Sequence, residues 1–370
     1  MKSKHSIVRE YIQSKILDGT YVPHQKISSE SELMERFSVS RHTVRLAIGD
    51  LVNLGWLYRK QGAGTYCAER NEMGSNDYNQ KNIAIITTHI SNYIFPSIIQ
   101  GAESFLSKND YQVSLYSTDN NHENEKKILE KILTHHVDGV IIEPTQSAIS
   151  NPNINYYLNL EKSNIPYIMI NAYYDELEPL SITIDDEKGG FIQTEHLIEQ
   201  GHENILGFFK TDDLQGTRRM KGYLKSHRSN HLPIRPSNII TYHTQEIMTK
   251  PQEELKKILE LPNEEWPTAI VCYNDELAML LLDVLRKKNI KVPEDISLIG
   301  YDNSILSRVS EVKLTTIKHP QSEMGEAAAK MILNLIDRKQ GLNKEEVEES
   351  IVYEPELIER NSTKDIRELV

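Results

Sequence analysis

Two arginines and a histidine lie together near the start of a predicted helix. Arg41, His42 and Arg45 follow Ser40, whose hydroxyl can cap the N-terminus of that helix. The apolar residues of this stretch recur at the spacing of one buried helix face: Val44, Ala47, Ile48 and Leu51. The cationic side chains therefore face solvent, where a guanidinium fork can bond the guanine edge in a DNA major groove. The ordinary alternative is a solvated charged face.

Two further helices are predicted ahead of this one. The first spans residues 5–18 and ends at Gly19, and the second begins at Ser29, which forms a capping box with Glu32. Ser38 lies in a tight turn between the second helix and the cationic one. This order predicts a helix-turn-helix.

A β-hairpin, the wing, is predicted next. Gly55 ends the helix, and strands at 56–60 and 65–67 flank a loop whose glycines supply positive φ. The segment SESELMERFSVSRHTVRLAIGDLVNLGWLYRKQGAGTY closely resembles the GntR family of winged-helix transcription factors, over residues 4–68. The exposed face and this resemblance together predict the DNA-contacting residues Lys4, Glu30, Arg41, His42, Thr43, Arg45, Lys60, Gln61 and Gly62. For Lys4, a free terminal lysine is an equal alternative.

The net charge of −12 is unevenly distributed. Residues 1–70 contain eleven lysines and arginines against seven aspartates and glutamates, a balance of +4, and the remainder contains 31 against 47, or −16. A basic head on an acidic body would orient the head towards DNA phosphates. The acidic body has a second explanation, since such charge keeps a large domain soluble.

The length and the cysteines restrict the class of protein. A chain of 370 residues predicts two or more domains. The first six residues are polar with no apolar segment behind them, and no run of eighteen apolar residues occurs, so we expect neither export nor membrane insertion. Cys67 and Cys272 lie far apart, which indicates a reducing cytoplasm and no structural zinc.

From Asn82 onward, short apolar runs alternate with amphipathic stretches, a pattern typical of βα units around parallel sheets. The predicted strands are 83–87, 113–117, 139–143, 167–170, 205–209, 269–272, 297–300 and 351–353. The predicted helices include 98–108, 124–135, 188–200, 276–288 and 322–339. Two halves are expected, joined near 171–185 and crossing back after Ser304.

These patterns predict an α/β protein with four segments. They are a winged helix-turn-helix domain (1–70), a polar linker (71–81), a two-lobed domain with parallel sheets (82–358) and a polar C-terminal tail (359–370). No metal ion or cofactor is expected.

Ligands of open α/β sheets bind beyond the carboxyl ends of the strands. The residues at these positions are mostly polar: Thr88, His89, Glu143, Asn171, Ala172, Tyr173, Lys210, Asn274, Asp275, Asp302 and Asn303, with Arg219 on a helix opening after Gly216. Such a set suits the hydroxyls of a sugar, whose apolar face Tyr93, Phe95 or Tyr173 can cover. Asp275 and Asp302 are also ordinary turn or cap residues.

The second domain also resembles a known family. The segments DGVIIEP, RRMKGY, YNDELAM, ISLIGYDN and LTTIKHP are similar in order and spacing to the LacI/GalR repressor core, itself similar to periplasmic sugar-binding proteins. This resemblance implies that Arg219 and Asp275 contact the ligand. The predicted effector-binding residues are Tyr93, Phe95, Glu143, Tyr173, Arg219, Asn274, Asp275 and Asp302. The helix-turn-helix and hinge helix usual in LacI proteins are absent from this sequence.

The combination of the two resemblances implies a ligand-gated repressor. It resembles regulators of pentose utilisation in Gram-positive bacteria, which implies operator DNA as a partner, a monosaccharide such as L-arabinose as the effector that releases DNA, and a homodimer. Residue spacing alone does not distinguish arabinose from another monosaccharide.

An enzyme and a transport receptor are the alternatives. The sequence lacks a phosphate-binding P-loop and a nucleophile elbow, Gly62 and Gly64 are followed by Cys67 where a dinucleotide fingerprint needs glycine, and adjacent histidines at 135–136 lack metal-ligand spacing. A transport receptor would need an export signal and would not need a basic head. We therefore expect a protein without catalytic residues.

Overall fold

The structure is a computed structural model that describes residues 3–68, 81–90, 93–341 and 348–367. Apart from Lys81, the predicted linker lies outside the described residues. The chain forms two compact units, the first comprising Met1–Asn82, Glu123–Asp138 and Pro152–Pro166, and the second Ile83–His122, Gly139–Asn151 and Tyr167–Val370. No helix among the described residues is long and apolar enough to span a membrane.

The elements confirm the mixed α/β class. The helices are α1 (Lys4–Leu17), α2 (Glu30–Phe37), α3 (Arg41–Asn53), α4 (Phe95–Lys108), α5 (His122–Thr134), α6 (Ile154–Lys162), α7 (Asp186–Glu199), α8 (Leu214–Ser229), α9 (Lys250–Ile258), α10 (Asp275–Lys287), α11 (Ile305–Val309) and α12 (Gln321–Lys339). The strands are β1 (Leu57–Lys60), β2 (Gly64–Cys67), β3 (Asn82–Thr87), β4 (Gln112–Ser117), β5 (Gly139–Ile142), β6 (Tyr167–Ile170), β7 (Ser181–Ile184), β8 (Ile205–Lys210), β9 (Ile239–Tyr242), β10 (Ala269–Cys272), β11 (Ser297–Asp302), β12 (Thr315–Lys318), β13 (Ile351–Tyr353) and β14 (Glu356–Ile358).

Local capping fixes the helix-turn-helix in the first unit. The predicted capping box is present: Ser29 Oγ accepts from the Glu32 amide, and the Glu32 carboxylate accepts from the Ser29 amide. Ser38 adopts a left-handed conformation at φ 50°, which ends α2 and turns the chain. Ser40 Oγ accepts from the Thr43 amide and starts α3. The predicted face of α3 is buried, with Val44 fully inaccessible.

The wing follows α3 as predicted. β1 and β2 pair antiparallel, with Leu57 opposite Cys67 and Arg59 opposite Thr65. Gly62 at φ 76° and Gly64 at φ 123° supply the positive φ values that the short connection requires.

Two six-stranded sheets form the core of the second unit. Their strand orders are β13-β7-β6-β5-β3-β4 and β14-β12-β11-β10-β8-β9. The central pairs β5–β6 and β10–β11 are parallel, whereas β14 runs antiparallel to β12. All residues of β5, β6, β7 and β10 are buried, because helices cover both faces of a parallel sheet.

Over the described residues, the chain crosses between the two sheets three times. It leaves the first sheet after β7, returns after β12, and crosses again between β13 and β14. The predicted return after Ser304 is wrong, since β12 at Thr315–Lys318 still pairs with β11 in the second sheet. The prediction that a helix opens after Gly216 is also wrong, because α8 begins at Leu214 and Asp213 is its N-cap.

Part of the predicted polar tail is built into the second sheet. The carbonyl of Ser362 accepts from the Leu298 amide at 2.7 Å, and Ser362 Oγ accepts from the Thr315 amide at 2.8 Å. Ser362 is fully buried. The chain after β14 therefore stabilises β11 and β12.

Helices α4 and α12 approach each other through glycine. A Cβ added at Gly325 would lie 2.0 Å from the carbonyl oxygen of Ile98, which is backbone and cannot rotate away. We expect Gly325→Ala to destabilise the protein by about 1–3 kcal/mol or more, because the helices must separate. Thermal unfolding checks this, with Lys330→Ala on the exposed face of α12 as the control. Equal melting temperatures for the two variants would contradict this prediction.

Candidate nucleic-acid interface and ligand cavity

A shallow groove of about 710 Å³ lies between α3 and the wing. It gathers six of the predicted DNA-contacting residues: Glu30, His42, Arg45, Lys60, Gln61 and Gly62. Its other lining residues are Leu46, Gly49, Asp50, Asn53, Arg59, Gly64 and Thr65. A recognition helix and a wing thus bound one polar surface.

Glu30 orients the arginines of α3. Its two carboxylate oxygens each lie 3.0 Å from Arg45 Nε, and Oε2 lies 3.7 Å from Arg41 Nε. The side chains of Arg45 and Arg41 remain 61% and 58% exposed. Both hydrogen bonds to Glu30 use Nε of Arg45, and within the described residues no hydrogen bond engages its terminal nitrogens. With the side chain this exposed, the terminal nitrogens are accessible to a base edge.

The remaining predicted DNA residues lie outside the groove or serve the fold. Thr43 Oγ1 lies 2.9 Å from Ser40 Oγ and belongs to the α3 cap. Lys4 is the exposed first residue of α1 and, like Arg41, does not line the groove. Lys60, which does line the groove, has its Nζ 5.1 Å from the centre of the Tyr66 ring. Arg59 was missed; it pairs with Thr65 across the hairpin, and both residues line the groove.

A cavity of about 320 Å³ lies within the second unit, beyond the carboxyl ends of the strands of both sheets. Six of the eight predicted effector-binding residues line it: Tyr93, Phe95, Glu143, Arg219, Asn274 and Asp302. Further polar lining residues are Thr88, His89, Asn120, Asn171, Lys210, Asp213, Gln215, Thr244, Glu276 and His319. Ile94, Pro144, Ile184, Ile247, Met248 and Tyr273 supply apolar surface.

Glu143 is held by the protein itself. One carboxylate oxygen accepts from the amide and the hydroxyl of Thr88 at 2.9 and 2.6 Å, and the other accepts from Asn171 Nδ2 at 2.9 Å. Burial raises the pKa of Glu143, although these three donors oppose the shift. The group therefore organises the cavity wall as a hydrogen-bond acceptor.

Arg219 is the centre of a buried ionic network. Its Nε donates to Asp186 at 2.8 Å, one terminal nitrogen donates to the Tyr273 carbonyl at 2.7 Å, and the other lies 3.5 Å from Asp302. The guanidinium stacks 3.5 Å from the centre of the Tyr301 ring. Burial opposes the charge, but Asp186 and Asp302 raise the pKa of Arg219 overall.

Hydrogen bonds join the two lobes around the cavity. Tyr93, which precedes α4 of the first lobe, places its hydroxyl 2.6 Å from Asp302 at the end of β11 in the second. Asn120 donates to Thr244 Oγ1 at 2.7 Å, and Ser147 Oγ accepts from the Leu214 amide at 2.9 Å. These hydrogen bonds tie the two lobes together around the cavity.

Comparison with known proteins identifies both parts of the chain. Residues 5–67 match the model of bacterial regulatory proteins of the gntR family, and residues 194–363 match that of the periplasmic binding protein-like domain. An arabinose metabolism transcriptional repressor of Halalkalibacterium halodurans is 56% identical over 98% of this chain and 97% of that protein. The chain belongs to the family of arabinose metabolism transcriptional repressors.

Two further similar proteins indicate the fold that this family has. The arabinose metabolism transcriptional repressor of Geobacillus stearothermophilus is 46% identical over 98% of both chains. The crystal structure of a LacI family transcriptional regulator from Enterococcus faecium with bound ribose is 27% identical and matches 78% of this chain and all of that one, with a TM-score of 0.65. The fold of the second unit in this repressor family is thus that of LacI-type regulators.

Two predicted effector-binding residues of the repressor lie outside the lining of the cavity. Tyr173 borders a separate surface groove, where its hydroxyl accepts from Arg218 at 2.9 Å. Asp275 accepts from the Ser304 amide and hydroxyl at 2.8 and 3.0 Å and from the Thr316 hydroxyl at 2.7 Å. Its carboxylate therefore holds the loop that follows Asp302.

Asp275→Ala is expected to lower the stability of the repressor without any sugar present. The change leaves the donors of Ser304 and Thr316 unpaired in a buried place, at a cost of about 1–3 kcal/mol for a stranded donor. Thermal unfolding of the ligand-free protein measures this loss. Glu276→Ala is the control, because it removes a carboxyl group from the next residue of the same helix. A ligand-free Asp275→Ala protein as stable as the control would instead assign Asp275 to the effector alone.

Sequence reasoning missed several side chains that the fold brings to the cavity. Asp213 caps α8, and its other oxygen lies 2.9 Å from Lys210 Nζ and accepts from the Tyr273 hydroxyl at 2.6 Å. Gln215 lies in the first turn of α8, whose start was predicted too late. His319 follows β12, a strand that was not predicted. If the segment TTIK had been predicted as a strand, His319 would have been among the residues expected at the carboxyl end of a strand.

Proposed function

We propose that this protein represses sugar-utilisation genes by binding operator DNA and that a pentose, L-arabinose, releases it. The observation that carries the proposal is a cavity of about 320 Å³ walled by polar side chains, in a chain whose head presents a recognition helix and wing. That volume lies at the small end of ligand pockets, which suits a monosaccharide. The names of the relatives and the ribose in the similar crystal structure support a pentose.

The charges around the cavity favour an uncharged ligand. Lys210 is paired with Asp213, and Arg219 is paired with Asp186 and Asp302. A phosphate or carboxylate on the ligand would have to displace one of these buried ion pairs. Hydroxyl groups need only hydrogen bonds, which a wall rich in amides, carboxylates and hydroxyls offers.

Closure of the two lobes gives the proposal a mechanism. A sugar shifts the open and closed populations only by its difference in affinity for the two states, and typical couplings are about 1–3 kcal/mol. We propose a homodimer acting in the cytoplasm, because two heads can then read half-sites separated by roughly 34–36 Å or a multiple. Light scattering of the purified protein tests this homodimer: a monomer at the concentration that binds DNA would exclude it.

Titration of the full-length protein into duplexes enriched from a random library, with and without L-arabinose, tests the proposed function. We expect L-arabinose to weaken DNA binding by about 5- to 150-fold, the range that such couplings produce. D-xylose and D-ribose are the comparison sugars. Binding of L-arabinose without any change in DNA affinity would exclude gating, and DNA binding without any sugar binding would exclude these pentoses as effectors.

A further inference from the structure

His319 is a buried imidazole in the wall of the ligand cavity. It directly follows β12, where the chain leaves the second sheet, and only 6% of it is exposed. Burial lowers the pKa of His319 to about 4, so the ring is neutral at physiological pH. A neutral imidazole carries one N–H donor and one bare nitrogen acceptor.

The neighbouring hydrogen bonds settle which nitrogen carries the proton. Asn171 Nδ2 donates to the Glu143 carboxylate at 2.9 Å, so the amide oxygen of Asn171 is left as an acceptor. That oxygen lies 3.0 Å from His319 Nε2, which must therefore be the N–H donor. Nδ1 is then the bare acceptor, and a chain of hydrogen bonds from Glu143 through Asn171 fixes this tautomer.

The bare nitrogen has no partner among the residues that the structure describes. Nδ1 of His319 is buried and makes no hydrogen bond to any group in the described part of the chain. Gln215 Oε1, a second acceptor in a side chain of the same cavity wall, is likewise buried and unpaired within the described residues. A buried polar atom without a partner costs free energy, so both acceptors favour a ligand that supplies hydrogen-bond donors.

We propose that His319 is a specificity residue whose Nδ1 accepts a hydrogen bond from one hydroxyl of the effector sugar. This inference rests on the proposed function, since it names a contact of the same cavity. Because the tautomer is fixed with Nδ1 as an acceptor, this position selects a ligand that donates a hydrogen bond. A sugar that lacks the hydroxyl, or is methylated on its oxygen, leaves Nδ1 unpaired. An ionised oxygen at this position would be repelled by the lone pair of Nδ1. A site of this kind rejects an analogue without the hydroxyl because the buried acceptor is then left without a hydrogen bond.

Two substitutions of His319 test the roles of its two ring nitrogens separately. The terminal amide of glutamine reaches the place of Nε2, so His319→Gln keeps a donor for Asn171 and removes the acceptor at Nδ1. The shorter amide of asparagine reaches the place of Nδ1, so His319→Asn keeps an acceptor there and breaks the bond to Asn171. We expect His319→Gln to lower L-arabinose affinity about tenfold or more and His319→Asn to lower it much less.

Calorimetric titration of L-arabinose into the full-length proteins measures these affinities, with melting of the ligand-free proteins as a second readout. If His319 only supports Asn171 and Glu143, the order reverses: His319→Asn loses more stability and more affinity than His319→Gln. That order, or equal affinities for both variants and wild type, would overturn the inference. If wild type binds no pentose, the proposed function fails instead.

A measurement on the unsubstituted protein keeps the inference testable if the variants do not fold. Nitrogen-15 NMR spectra of the protein labelled with nitrogen-15 histidine distinguish a bare ring nitrogen from one that accepts a hydrogen bond. We expect the bare Nδ1 resonance of His319 to shift on addition of L-arabinose, and the single-deoxy sugar that lacks the bonded hydroxyl to leave it in place. A resonance unchanged by saturating L-arabinose would overturn the inference.

Discussion

Arg219→Met is expected to destabilise the second unit by about 3–5 kcal/mol, because it leaves two buried carboxylates without their cation. Asp186 is 1% exposed and Asp302 is 3% exposed, and both lie against the guanidinium. Methionine fills similar space but also leaves the Tyr273 carbonyl without a donor. Thermal or urea unfolding of the ligand-free protein measures the loss.

The pH dependence of this variant has a definite sign. Burial raises the pKa of Asp186 to about 6, and Arg219 opposes that rise, so removing the arginine raises it further. A carboxyl group with a raised pKa in the folded state binds more protons there than in the unfolded chain, and stability then increases as pH falls. The loss is therefore expected to be smaller at about pH 5 than at about pH 8.

The neighbouring arginine is the matched control for Arg219→Met. Arg218 is partly exposed and donates to the Tyr173 hydroxyl on the surface, so Arg218→Met removes the same charge from the same helix turn without stranding a buried carboxylate. We expect its effect to be within about 1 kcal/mol. If the two variants have the same melting temperature, Arg219 is not what stabilises the buried charges of the two carboxylates.

Arg45→Ala is expected to cost about 1–3 kcal/mol of binding to the preferred DNA sequence and much less on random duplex, because a base-edge contact is lost. Glu30 fixes Nε of Arg45 and leaves the rest of the fork exposed in the groove. Fluorescence anisotropy with both duplexes measures the two losses.

Two controls accompany Arg45→Ala. Lys60→Ala should weaken binding to both duplexes alike and reduce the salt dependence, as expected for a phosphate contact. Arg36→Ala removes the same charge from the head outside the groove, where Arg36 stacks 4.5 Å from the centre of the Tyr11 ring. Equal losses on both duplexes for Arg45→Ala would reduce Arg45 to a phosphate contact.

Short-range sequence patterns were sufficient to predict the helices and strands of the head. The caps at Ser29 and Ser40, the glycines of the wing and the buried face of α3 each depend on residues a few positions apart. The apolar runs that became β5, β6 and β10 were equally visible, because a strand buried on both faces is continuously apolar. Element order in these regions therefore followed from the sequence.

The parts that could not be predicted depend on contacts distant in sequence. β12 contains two threonines, and it is a strand because it pairs with β11 and β14. An aspartate after a strand can face the ligand or the protein, and Asp275 faces Ser304 and Thr316 because α10 and the loop after β11 meet there. Spacing along the chain cannot specify such choices.

The route of the chain through the two sheets sets an order of events during synthesis. The last element of the winged helix-turn-helix, β2, is synthesised early, whereas the first sheet receives β13 and the second receives β14 from the last part of the chain. Domains fold as they leave the ribosome, at about 5–20 residues per second, so on the order of tens of seconds separate these two points. A nascent chain therefore acquires its recognition helix well before both lobes around the cavity are complete.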